Sequence, residues 1–232
     1  TSFIAVIQLG TMISILVYFW KDLWNIFTEF LQNNLLKRIK YSEQSTNSKL
    51  GWMIILGTIP IIVIGLLFKD MIEGALTKNL YVISGSLIVL AIILAIAEKT
   101  AKFKKDIKDV TILDSILIGL AQAVALIPGS SRSGTTITGG LFLGLKRDVA
   151  ARFSFLLSVP AILASGLLQL KESIGFINYD LAVNLIVATL VSGISGYLAI
   201  DFLLKFLKKH TTFVFIFYRI ALGVLILSLL YS

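Results

Sequence analysis

A polar segment, Pro128–Thr136, interrupts a long apolar stretch and carries side chains that together could bind an anion. An arginine offers paired N–H donors that match two phosphate oxygens, glycines let backbone amides approach, and hydroxyls donate further hydrogen bonds. The segment therefore predicts a phosphate site, and it lacks the Gly-Lys-Ser/Thr ending of a Walker A loop. The predicted binding residues are Gly129, Ser130, Ser131, Arg132, Ser133, Gly134 and Thr136.

The Arg132 guanidinium needs a counter-ion if, as the apolar flanks suggest, it lies inside the bilayer. Buried polar groups without partners cost about 1–3 kcal/mol each, and an arginine at this depth costs at least about 2.5–3.5 kcal/mol. A helix beginning near Ser133 would point free N–H groups and a positive dipole into the same space, with Thr136 close to Arg132. Alternatively, Arg132 pairs with a carboxylate and the hydroxyls only cap half-helices. Since no acidic residue is predicted at mid-membrane, the anion site is favoured.

The elements that must position this segment are membrane helices. Hydrophobic residues make up 57% of the 232 residues, charged residues only 15%, and the mean hydropathy is +0.92. These values exclude an ordinary soluble domain and predict an all-α, polytopic helical bundle forming one integral-membrane domain over residues 1–232. About six spans are predicted: Phe3–Trp20, Gly51–Phe68, Leu80–Ala97, Ala150–Leu170, Leu181–Ile200 and Phe213–Leu230.

The stretch Ile112–Leu145 is predicted to be a re-entrant helical hairpin with the polar segment as its mid-membrane loop. Its two apolar halves are too short to span comfortably, and proline with glycine interrupts them. Clusters of Lys and Arg follow the first, third and fifth spans, as expected for cytoplasmic loops. The later basic residues Lys146, Arg147 and Arg152 lie on the same side of the membrane as Lys99–Lys108 only if the stretch enters and leaves the membrane at one face.

Other charged and reactive residues are assigned structural roles or exclude functions. The net charge of +8 comes from clusters flanking apolar runs, so no nucleic-acid partner is expected. The absence of cysteine excludes disulfides and thiolate metal sites. Arg219, the other charge at membrane depth, is expected either to snorkel or to hydrogen-bond carbonyls inside the bundle, and this structural role is favoured over contact with a ligand. Asp114 is expected to stabilise a helix N-terminus. Gln122 precedes the loop on the first half of the hairpin.

These residues resemble the undecaprenyl-pyrophosphate phosphatase family of the bacitracin-resistance type. The resemblance is specific around the loop and extends towards both ends of the chain. It is carried by Gln8-Leu9-Gly10, Gly119-Leu-Ala-Gln122, Leu126-Ile127, the whole Pro128–Gly134 segment with Thr136, Gly139-Gly140, Ala150–Phe155, Pro160 and Tyr218-Arg219-Ile220.

The resemblance implies hydrolysis of a C55 lipid pyrophosphate to the monophosphate, which recycles the lipid carrier of peptidoglycan synthesis in the bacterial inner (plasma) membrane. Ser131, Arg132 and Thr136 correspond to catalytic residues that hold phosphate. The family's inverted repeat implies a second hairpin, of which this chain would carry only part. A divalent cation, Mg or Ca, is implied as cofactor, with its carboxylate ligands and a catalytic histidine expected upstream of residue 1. No metal ligand is therefore predicted in this chain, and residues 1–232 alone are expected to be inactive.

A second function remains open from the residues. Broken helices and inverted repeats also build transporters, so the same pocket could move a polyprenyl phosphate across the membrane without cleaving it. The partners expected in either case are membrane lipid and a polyprenyl phosphate or pyrophosphate. A homodimer is compatible with the sequence.

Overall fold

The chain folds into α-helices, as the sequence predicts. The computed structural model describes residues 2–68, 74, 79–173 and 179–231, and within these ranges it contains no β-strand. The helices are α1 (Ser2–Tyr18), α2 (Trp20–Leu31), α3 (Thr46–Leu67), α4 (Leu80–Thr100), α5 (Ile112–Ala123), α6 (Arg132–Phe142), α7 (Arg147–Ser173), α8 (Tyr179–Lys209) and α9 (Phe213–Tyr231). Short 3-10 or π segments cover Gln32–Leu36, Tyr41–Glu43, Ile107–Asp109 and Val124–Leu126.

Four of the described helical segments are long and apolar enough to cross a bilayer, so the chain is a multi-pass membrane protein. They are α3, α4, residues Ile186–Lys209 of α8, and α9. The other two predicted spans fall on α1 and within the 27-residue α7. The first predicted span ends earlier than expected, because the backbone at Phe19 (φ −97°, ψ 14°) leaves the helical region and Trp20 opens α2.

The first of two compact units contains Thr1–Gly51 and Phe155–Phe206. In it α1 packs closely on α8, where the Ser14 hydroxyl lies 2.6 Å from the Gly193 carbonyl oxygen. A Cβ at Gly196 would lie 2.7 Å from the same hydroxyl oxygen. Small residues therefore let α1 and α8 approach each other closely.

The second unit contains Trp52–Ser154 and Leu207–Ser232, and it holds both halves of the hairpin. The helix α5 lies directly against α3, which is possible because Gly119 has no side chain. A Cβ there would overlap the Gly57 carbonyl oxygen. The Ser115 hydroxyl donates to the Met53 carbonyl at the same contact. The helix α9 buries Ile216, Arg219 and Gly223, which lie on one face of the helix.

The two halves of the hairpin, α5 and α6, contain 12 and 11 residues. At 1.5 Å per residue they are about 18 and 17 Å long, roughly half the hydrocarbon core. Their outer ends are joined by backbone hydrogen bonds: Lys105 N–H donates to the Gly144 carbonyl (3.0 Å), and Lys146 N–H donates to the Lys105 carbonyl (3.1 Å). The chain thus leaves the hairpin at the end where it entered. The depth of its loop in the bilayer and the assignment of residues 1–232 to one domain stay predictions.

Candidate active site

The polar loop ends where α6 begins, at Arg132, one residue before the predicted start. Ser131 is the N-cap, and its side chain accepts a hydrogen bond from Gly134 N–H at 3.2 Å. The backbone amides of Arg132 and Ser133 donate no hydrogen bond to any described part of the chain. Two free N–H groups and the positive end of the helix dipole therefore face the loop, as an anion site requires.

Backbone conformation at the loop is unusual at two positions. Gly129 has φ +84°, and a Cβ there would overlap the Ser86 hydroxyl and the Ile83 carbonyl oxygen. Only glycine fits this position without displacing α4. Ser131 has φ 65° with a full side chain, and such strain persists only where surrounding contacts enforce it, commonly at functional sites.

The loop is held from the neighbouring helix α4. Ser86 Oγ donates to the Pro128 carbonyl oxygen at 2.5 Å, just before Gly129. Within the loop, Ser130 N–H donates to the Ile127 carbonyl at 3.2 Å, which closes a turn. These hydrogen bonds fix the loop backbone, so the free amides of Arg132 and Ser133 have defined positions.

Three threonine hydroxyls of α6 form hydrogen bonds within α6 itself. Thr135 and Thr136 donate to the Arg132 carbonyl oxygen at 3.0 and 2.9 Å, and Thr138 donates to the Gly134 carbonyl oxygen at 2.7 Å. The Thr136 hydroxyl also lies 2.5 Å from that of Ser154 and is 1% exposed. Thr136 therefore positions α6 against α7, and direct contact with phosphate stays a prediction.

The Arg132 side chain is half-buried and is not paired by the protein. No carboxylate of the described residues lies within ion-pairing distance of it. The acidic residue of the hairpin, Asp114, instead pairs with Lys105 at 2.9 Å and forms a capping box with Thr111 at the start of α5. The alternative in which a carboxylate neutralises Arg132 finds no support in this part of the chain, and the predicted N-terminal role of Asp114 is confirmed.

Arg219 of α9 reaches the loop, which the sequence did not reveal. Its Nη2 donates to the Gly129 carbonyl oxygen at 3.2 Å. On the other side, a Cβ at Gly134 would lie 2.6 Å from its Nη1. The predicted hydrogen bond to a carbonyl is confirmed, but the carbonyl belongs to the candidate site, so a second guanidinium stands beside the first turn of α6.

Several buried polar atoms around the hairpin lack a hydrogen-bond partner among the described residues. They are Ser130 Oγ, Arg219 Nε and both polar atoms of the Gln122 side chain. Buried groups are normally satisfied, so unsatisfied ones point to a bound water, ion or ligand. All of these atoms lie on the hairpin or on its neighbour α9, which distinguishes this region from the other described parts of the second unit.

The side chains of the loop do not fit a divalent cation. Magnesium and calcium prefer carboxylate oxygens, whereas the loop offers hydroxyls and a positive guanidinium. Among the described residues, no group of three or more His, Cys, Asp and Glu side chains could hold a metal ion. The arrangement is suited to binding a phosphate.

Comparisons with known proteins agree with this chemistry. A protein-family model described as Bacitracin resistance protein BacA matches residues 1–225. The chain belongs to this family. The undecaprenyl-diphosphatase of Syntrophobacter fumaroxidans (strain DSM 10017 / MPOB) is 54% identical over 223 residues, which cover 96% of this chain and 79% of that protein.

Further BacA-family relatives bear the same name. The undecaprenyl-diphosphatases of Chloroherpeton thalassium (strain ATCC 35110 / GB-78) and Chlorobium limicola (strain DSM 245 / NBRC 103803 / 6330) are both 51% identical. Each alignment covers 99% of this chain and 83% of the relative. The resemblance proposed from the loop sequence is thus confirmed over nearly the whole chain.

Proposed function

We propose that this protein hydrolyses undecaprenyl diphosphate to undecaprenyl phosphate and inorganic phosphate. In this reaction a water oxygen bonds to the terminal phosphorus, and the bond from that phosphorus to the bridging oxygen breaks. The bridging oxygen stays on the lipid phosphate, and the proton lost from water is released to solvent or to a base. The observation that carries the proposal is the unpaired Arg132 guanidinium at the free N-terminus of α6 in a BacA-family chain.

The loop residues supply binding and charge stabilisation for this reaction. Arg132 donates N–H groups to phosphate oxygens, and the amides of Arg132 and Ser133 donate from the helix end. Ser131 fixes the first turn of α6 through its cap to Gly134. Because the negative charge on the transferred phosphoryl oxygens and on the leaving phosphate must be neutralised, fixed donors of this kind lower the barrier.

The other predicted binding residues have supporting roles in the same proposal. Gly129 and Gly134 allow backbone and guanidinium to approach the phosphate, Ser130 and Ser133 line the loop, and Thr136 holds α6 in place. A divalent cation, Mg or Ca, would neutralise phosphate charge, but the loop does not supply its ligands. A location in the bacterial inner membrane is part of the same proposal, and the lipid tail of the substrate together with the apolar helices supports it.

Phosphate release from undecaprenyl diphosphate by the complete gene product, purified in detergent, tests the function. Detergent removes the second compartment that transport requires, so release of inorganic phosphate with formation of undecaprenyl phosphate is the expected result. Heat-inactivated protein provides the background. Intact lipid diphosphate, combined with movement of polyprenyl phosphate between leaflets in proteoliposomes, would reject the hydrolase and favour the transporter.

A further inference from the structure

Arg219 contacts both sides of the turn that leads into α6. Its guanidinium holds the Gly129 carbonyl through Nη2, and its Nη1 lies against Gly134, which must lack a side chain for this approach. These two glycines flank Ser130–Ser133. The second guanidinium is therefore at the same loop as Arg132.

The hydrogen-bonding capacity of this guanidinium is largely unused. Arginine carries five N–H donors, and Arg219 makes one hydrogen bond to the described residues, while its Nε has no partner. The residue is 7% exposed, and no described carboxylate pairs with it. A buried charge without a counter-ion is strongly unfavourable, so an anion is expected to complete its coordination.

A second buried donor occurs in the loop next to this guanidinium. Ser130 follows Gly129, whose carbonyl Arg219 holds, and its hydroxyl has no partner although the residue is 1% exposed. A hydroxyl in such a position normally bonds to protein or to a bound molecule. Neither group is explained by the packing of α9 or by the cap of α6.

We propose that Arg219 and Ser130 form a second phosphate subsite beside Arg132, so that the site holds a diphosphate with one guanidinium for each phosphate. The inference rests on the proposed function and deepens it, because it identifies the residues that distinguish the diphosphate substrate from the monophosphate product. A single guanidinium would bind both molecules similarly. With two guanidiniums, cleavage removes one set of contacts, and the product lipid binds more weakly than the substrate.

The affinity of two unreactive lipid analogues tests this subsite. Farnesyl methylenediphosphonate carries two phosphorus groups that water cannot separate, and farnesyl phosphate carries one. Isothermal titration with the complete gene product should show that Arg219→Gln lowers the affinity for the diphosphonate by about 10- to 100-fold, because a charge-assisted contact is lost. Binding of the monophosphate should change by less than about 3-fold. Arg219→Lys should restore part of the diphosphonate affinity because it keeps the charge.

The control substitution is Phe217→Leu, on the same helix at a position that is 67% exposed. It should leave both affinities unchanged. If Arg219 only braces the loop, Arg219→Gln will weaken both analogues equally, and that result overturns the subsite. Unchanged binding of both analogues overturns it as well.

Two further measurements keep the test decisive. If Arg219→Gln does not fold, Ser130→Ala serves instead, and it should weaken the diphosphonate by about 3- to 10-fold while sparing the monophosphate. Phosphate release from undecaprenyl diphosphate by the unmodified protein is measured in parallel. No release refutes the proposed hydrolase, whereas release combined with an unchanged ratio of the two affinities refutes the subsite alone.

Discussion

Buried polar groups are paired at one end of the hairpin and unpaired at the other. We call the end around Glu98, Arg147 and Thr212 the base, and the Pro128–Thr136 loop with Arg219 beside it the tip. At the base, the Glu98 carboxylate is 4% exposed and accepts hydrogen bonds from Arg147 Nε at 2.6 Å and from Thr212 Oγ1 at 2.8 Å. At the tip, Ser130 Oγ and Arg219 Nε are equally buried and have no described partner. The two ends belong to one compact unit, so the difference is not one of overall packing quality.

Under the proposed function, the paired charges at the base stabilise the fold, whereas the unpaired groups at the tip bind the ligand. Breaking a pair at the base leaves a charge buried without compensation, which lowers the free energy of unfolding. Polar groups at the tip already lack compensation, and the strained backbone at Ser131 adds to the cost. Substitutions at the tip should therefore alter activity with little loss of stability, and substitutions at the base should do the reverse.

The largest effect is expected for Arg132→Lys at the tip. An ammonium group cannot make the paired contacts of a guanidinium, so kcat/KM for undecaprenyl diphosphate should fall by about 100-fold or more. The midpoint of thermal unfolding should stay unchanged, because Arg132 has no carboxylate partner among the described residues.

The same substitution at the base, Arg147→Lys, is the matched control. It keeps a positive charge near Glu98 and lies outside the loop, so kcat/KM should remain within about 3-fold of the unmodified protein. Near-normal turnover by the Arg132 variant would remove the distinction between tip and base. So would equal loss of activity in both variants.

The sequence predicts the local structure of the tip, but it does not predict which helices pack beside the tip. Pro128, the glycines and the hydroxyls have strong local preferences, so the break in the hairpin and the start of α6 followed from residue type alone. The sequence also identifies Arg219 as a charge at membrane depth. Its position beside Gly129, 90 residues away in sequence, depends on how α9 packs on α4, which helical periodicity does not specify.

The threonines show a second limit of the sequence. Hydroxyl groups near a suspected anion site are equally able to bond carbonyls one turn earlier in their own helix. Thr135, Thr136 and Thr138 all do so. Residue type supplied the candidate donors, but only the structure distinguished Ser130, whose hydroxyl is free, from hydroxyls already engaged.

A smaller effect, on stability alone, is expected for Glu98→Gln at the base. The amide cannot neutralise Arg147, so the free energy of unfolding should fall by about 1–3 kcal/mol, reduced from a fully buried pair because Arg147 is partly exposed. Thermal unfolding in detergent should show a decrease of several degrees. Phosphate release below the unfolding temperature should be normal, and a selective loss of activity would show that base and tip are coupled.

The smallest effect is expected for Lys146→Ala, at the exposed edge of the base. Lys146 donates to both oxygens of Asp106 at 2.7 and 2.8 Å, but both side chains are 44% exposed, and such pairs contribute little. The hydrogen bond to Asp106 raises the pKa of Lys146 above its ordinary 10.5. Because the folded value is raised, the contribution is fully present below the unfolded pKa and is lost only as pH rises through the folded one. The variant should therefore unfold within about 1 °C of the unmodified protein throughout roughly pH 6–9, and a larger or pH-dependent shift would show that solvent does not screen this end of the hairpin.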